Sequence, residues 1–201
     1  MSTKIWFLAA ALFLSPVAAR AQAAASADAQ ARVDAALHAA LEAGIPVSLL
    51  ERKIAEGKAK GVPMERIAAA VEARTQALLR ARDAMARAHV RNAAEGDLSV
   101  GADAVQAGVS DAALAEISAS APAERRAVAI AVLTDLVVLG NAPDRALLQV
   151  QTALRRGPEA LVNLRAEASS QIQLRGAAGA GVKADGGAGV RVDLGGGSRR
   201  P

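Results

Sequence analysis

The stretch Glu56-Gly57-Lys58-Ala59-Lys60-Gly61-Val62-Pro63 sets two lysines between two glycines, a composition suited to cradling a phosphate. A Walker-type loop needs G-x-x-x-x-G-K-[S/T] after a strand, so that backbone amides and the lysine meet the phosphates and the hydroxyl meets Mg²⁺. Here Gly57 is followed directly by Lys58 and Gly61 by Val62, no Ser or Thr stands at the metal position, and the preceding residues have helical period. The stretch reads instead as a corner. Lys58 and Lys60 sit where a helix C-terminus favours cations, Gly61 takes a left-handed turn, and Pro63 opens the following helix. One helix is expected to end near Lys60 and the next to begin near Pro63. Farther on, Gly179-Ala180-Gly181 lacks the third glycine of a dinucleotide fingerprint, because Ala184 occupies that place.

The remaining catalytic inventory is thin. The chain has no Cys and no Tyr. Its two histidines are His38, one turn before Glu42, and His89, between Arg87 and Arg91. The first suits an intrahelical pair and the second a favourable charge at a helix C-terminus. No H-E-x-x-H, no Cys/His metal spacing and no G-x-S-x-G occurs. The carboxylates Glu51, Glu56 and Glu65 are interleaved with Arg52, Lys53, Lys58 and Arg66, as on a solvated helix face. The expectation is a protein that is not an enzyme, with no cofactor and no metal site.

The N-terminus points to export. Lys4 precedes an uninterrupted apolar run, Ile5–Leu14, then Ser15-Pro16 and the A-x-A signature Ala19-Arg20-Ala21. That is the plan of a signal peptide, residues 1–21. Residues 5–19 are too few for a spanning helix, which needs about 20. The alternative is a membrane-associated protein that keeps this segment as an anchor. Both Phe residues and the single Trp (Trp6, Phe7, Phe13) lie in the leader, so a chain cut after Ala21 has no aromatic residue. It has nothing to stack on bases, sugars or lipid headgroups.

Charge alternates in blocks. Residues 22–50 carry a net −2, 51–91 +5, 92–154 −5 and 155–201 +4. A nucleic-acid binder concentrates positive charge in one block. This pattern instead lets the basic stretch face the acidic one, within the fold or in a dimer. The segments "LEAGIPVSLLERKI" and "AVQAGVSDAALAEI" have the small residue and turn glycine of a helix-turn-helix. Three such corners in one exported chain read as generic helix packing, and no nucleic-acid partner is expected.

The elements follow from periodicity. Val33, Leu37 and Leu41 mark a helix from about Ser26 to Ala43, closed by Gly44-Ile45-Pro46. Leu50 and Ile54 mark a second, to about Lys60. Met64, Ile67, Val71, Leu78 and Met85 mark a third, Pro63 to about Asn92, with Arg74 and Ala81 in the remaining seam positions. Ala93–Asp97 is a break. Ser99–Ala107 is a short helix with Val100, Ala104 and Val105 inward, and Gly108-Val109-Ser110 repeats the corner with Ser110 as N-cap. Leu114 and Ile117 follow, then a helix from Pro122 whose Val128–Leu139 run is apolar on nearly every side and therefore buried. Gly140–Pro143 closes it, Leu147, Val150 and Leu154 carry the next helix, and Leu161, Leu164, Ala168 and Ile172 the last, after Gly157-Pro158. With Pro46, Pro63, Ser110 and Pro143 as origin, an apolar residue falls four later each time: Leu50, Ile67, Leu114, Leu147.

The expected fold is all-α: an irregular helical bundle of about seven or eight helices joined by tight Gly-aliphatic-Pro/Ser turns (Gly44, Pro46; Gly61, Pro63; Gly108, Ser110). The helical domain spans 22–175, with possible sub-halves 22–92 and 97–175. Residues 176–201, with nine glycines, read as a flexible tail, in which Val190–Leu194 alternates like a short strand. The function expected is that of a periplasmic or secreted, non-catalytic envelope protein acting through helical surfaces. Its partner is another envelope protein or a second copy, and it meets the membrane only transiently through the signal peptide. Arg74, Arg80, Arg82, Arg87 and Arg91 form the candidate interaction face.

Overall fold

A computed structural model describes residues 16–90 and 92–184. Among them there are eight helices and no strand: α1 Pro16–Glu42, α2 Ser48–Ala59, α3 Met64–Arg87, α4 Glu95–Gln106, α5 Asp111–Ser120, α6 Ala123–Val138, α7 Pro143–Arg156 and α8 Pro158–Ala184. The protein is an all-α helical bundle. The apolar run Ile5–Leu14 and the Val190–Leu194 alternation lie outside the described residues. So does the Gly-rich segment beyond Ala184.

Five corners share one hydrogen-bond pattern. At Gly44 the amide donates to Leu41 O (2.9 Å) and the next amide, of Ile45, reaches back to Ala40 O (2.9 Å). The same pair of bonds recurs at Gly61-Val62, His89-Val90, Gly108-Val109 and Gly140-Asn141. All five leading residues have positive φ, from +62° at His89 to +95° at Gly108. This is the Schellman cap, which satisfies the last carbonyls of a helix. Ile45 and Val109 are buried, so these corners also anchor their helices to the core. Ser110 caps α5 by accepting from the Ala113 amide at 3.1 Å.

Boundaries differ from expectation in four places. α3 ends at Arg87, not near Asn92, because His89 takes the left-handed position that glycine takes elsewhere. α1 starts at Pro16, not near Ser26: proline suits a first turn and the Ala-rich stretch behind it propagates helix. In α4, which starts at Glu95, the fully buried side is Leu98, Ala102 and Ala104, whereas Val100 and Val105 are half-buried. α8 continues through Gly176 to Ala184, where a flexible tail was expected from 176.

The chain divides into two compact units. The first holds the described residues up to Asp83 together with Ala93–Ala102, and the second holds Ala84–Asn92 and the residues from Asp103. In the first, Ala29 and Val33 of α1 pack with Ala68 of α3, and Leu37, Ile54 and Met64 close around them. Arg32 of α1 grips the Glu72 carboxylate of α3 with both Nε (2.8 Å) and Nη2. Arg52 meets Glu95 at 2.6 Å. In the second unit α6, α7 and α8 pack on one another, and α5 packs on α6 and α7. Arg175 donates to Leu139 O at the end of α6 (2.6 Å), and Gln151 to Glu116 (2.8 Å). The four apolar residues four places beyond Pro46, Pro63, Ser110 and Pro143 are all buried: Leu50, Ile67, Leu114 and Leu147.

Candidate functional site

The glycine–lysine stretch is a corner in atomic detail. Gly57 lies inside α2 and Gly61 caps it. The amides of Lys60, Gly61 and Val62 are all taken by carbonyls of α2, those of Glu56, Lys58 and Gly57 (3.0–3.1 Å), so none points outward at an anion. Lys60 and Lys53 both pair with Glu56, and their hydrogen bonds hold its carboxyl below the usual range.

The arginines of the candidate face differ in their surroundings. Arg74 is half-buried and donates to Ser99 O and Oγ, both at 3.1 Å. This explains a seam position occupied by arginine: the stem packs and the guanidinium finds a carbonyl. Arg82 is likewise half-buried, donating to Ala43 O (2.7 Å) and pairing with Asp83 (2.7 Å). Arg80, six residues from Arg74 and so on a different side of α3, is exposed. Arg87 is exposed and stands 3.9 Å from Asp111. Arg91 lies outside the described residues. The basic stretch does meet the acidic one, through Arg52–Glu95, Arg74–Ser99 and Arg87–Asp111. His38 and His89 are both exposed, His89 serving as a cap. Among the described residues no three His, Asp or Glu converge as metal ligands.

One concavity has no counterpart among the candidate residues read from the sequence. It is an open groove of about 580 Å³ between α7 and α8. α7 contributes Arg145, Leu148, Gln149, Thr152 and Arg156, and α8 contributes Ala160, Asn163, Leu164 and Glu167. Each set recurs at three- and four-residue steps, so each is one stripe along its helix. The reason lies in α7: Ala146, Leu147, Val150 and Ala153 turn into the core, which leaves the neighbouring stripe at the surface. Leu148 is 61% exposed, an apolar side chain between two arginines. A smaller cleft on the other side of α7 holds Arg125 and Arg155 with Gln151. A signal existed in the sequence: Arg145, Leu148, Thr152 and Arg156 are a second period-3.6 series beside the core-facing one.

Within the second unit one carboxylate is perturbed by its surroundings. Asp135 sits in the apolar run of α6, and burial raises its pKa while Arg165 of α8 pulls it down.

No protein family model, no curated protein and no solved structure matches this chain. No helix among the described residues is long and apolar enough to cross a membrane.

Proposed function

We propose that this is an exported, non-catalytic protein of the cell envelope that works by binding another polypeptide on a helical surface. The observation that carries the reading is the α7–α8 groove, where an exposed leucine lies between arginines on a pair of packed helices. Groove-and-helix recognition reuses this arrangement, with apolar anchors at helical spacing and polar residues at the margins. Export rests on the Lys4, Ile5–Leu14, Ala19–Ala21 plan. Beyond the expected cut, residues 24–28 of α1 are exposed and Ala29 is buried.

A photo-crosslinker placed at Leu148 in living cells tests the binding reading, with one at exposed Asp34 as control. Polypeptide adducts specific to position 148 in the envelope fraction are expected. Adducts no richer at 148 than at 34 would sink it. N-terminal sequencing after fractionation tests export: a chain starting at Gln22 outside the cytoplasm is expected. Intact Met1 in the membrane pellet would favour the anchored alternative.

A further inference from the structure

We infer that the α7–α8 groove is built for an amphipathic helix bearing acidic residues, contributed by a partner protein. This deepens the binding reading above and rests on it. Arg145 and Arg156 stand at the two ends of the groove on α7, and both are exposed. Neither has a hydrogen-bond or ion-pair partner among the described residues. Eleven residues separate them, about 16 Å along the helix, which suits two carboxylates on one elongated ligand better than one small anion.

Between the arginines, exposed Leu148 and half-buried Leu164 form an apolar seat. The two lining stripes lie on adjacent, packed helices, and a third helix fits into the groove between two such ridges. Its own residues would meet the groove at three- and four-residue steps, with an apolar residue over Leu148 and Leu164 and an acid at each end. Glu167, on the α8 side, repels an acid placed beside it and so favours one lateral orientation. A lipid surface fits less well, because the groove is concave, carries Glu167, and has no aromatic residue to seat at headgroup level.

The test uses the full chain and a labelled synthetic helical peptide of about sixteen residues. The peptide has two Glu eleven positions apart and Leu between them, and its counterpart has Lys for Glu. Fluorescence anisotropy is expected to show the acidic peptide binding and the basic one not. The pair Arg145→Glu, Arg156→Glu should weaken the acidic peptide about ten-fold and create affinity for the basic one. Leu148→Ser should weaken the acidic peptide as well. Circular dichroism checks that the variants stay helical, as substitutions at exposed positions should. Equal binding of both peptides, an unchanged preference after charge reversal, or no peptide binding overturns the proposal. So does arginine-dependent binding of phosphatidylglycerol vesicles in place of the peptide. Crosslinks at Leu148 that persist alongside any of these results would leave the polypeptide-binding reading standing and remove only the acidic helix.

Discussion

The Cβ that Gly57 lacks would fall 2.8 Å from Cγ1 of Ile67 and 3.1 Å from its Cδ1. α2 and α3 thus come together across a missing side chain, and Ile67, only 3% exposed, fills the space. Gly57→Ala would ordinarily strengthen a helix interior by up to about 1 kcal/mol. Here the methyl meets the middle of a buried β-branched side chain, and overpacking costs about 1–3 kcal/mol. The variant is expected to unfold at lower urea. In the double variant Gly57→Ala, Ile67→Ala the two losses should sum to less than the separate ones, because the clash is gone. Strict additivity would show that the contact is not the cause.

His89 holds φ +62° in the place where four other corners have glycine. A left-handed residue with a Cβ costs roughly 1–2 kcal/mol, and the His89 side chain is exposed, so little packing is lost with it. His89→Gly should raise the thermal midpoint, by somewhat less than that figure because glycine also loosens the unfolded chain. Gly61→Ala, the reverse exchange at an equivalent cap, should lower it. A lower midpoint for His89→Gly would mean that the imidazole supports the corner in another way.

Glu72 is held below the usual carboxylate range, first by its hydrogen bond from Arg32 and then by the charge of that guanidinium. A depressed acid contributes stability that is present above its unfolded pKa and fades as pH falls through the folded one. The Arg32–Glu72 contribution is therefore whole at pH 7 and lost on acidification below the ordinary Glu range. Urea midpoints across that interval should fall more steeply for the wild type than for Glu72→Gln. Because both side chains are about two-fifths exposed, salt should flatten the difference.

Asp135 has the opposite sign. Burial against the apolar neighbours of α6 raises its pKa, and Arg165 offsets part of that. Its charged form opposes folding at neutral pH, and the cost disappears as pH falls through the raised folded value toward the unfolded one. Asp135→Asn is expected to stabilise at pH 7 and to change nothing at pH 3, read by thermal melts at both. A variant destabilised at pH 7 would show that the attraction of Arg165 outweighs desolvation.

The corners were the most legible part of the chain, because a Gly followed by an aliphatic residue carries both the backbone freedom and the apolar anchor of the cap. Gly44, Gly61 and Gly108 are read directly. His89-Val90 makes the same cap and is not legible, since nothing in a histidine announces a positive φ. Gly140-Asn141 reads as a looser fourth corner, because an asparagine, which donates to Leu136 O (2.9 Å), stands where the others carry an aliphatic residue. The arginines of α3 are less legible. Charge pattern cannot distinguish an arginine that reaches a carbonyl, as Arg74 does, from one that faces water. The groove was hidden for a related reason: Leu148 looks like one more core leucine until Leu147 and Val150 are seen to occupy that side of α7.

The border between the two compact units crosses the chain three times, after Asp83, after Asn92 and after Ala102. No single contiguous fragment contains the whole of the first unit without also carrying Ala84–Asn92 of the second. During synthesis the first unit is complete only once residues 93–102 have followed Ala84–Asn92. A nascent chain stalled just after Asp83 has everything α1, α2 and most of α3 can offer and still lacks Glu95 for Arg52, Ser99 for Arg74, and the buried Leu98 and Ala102.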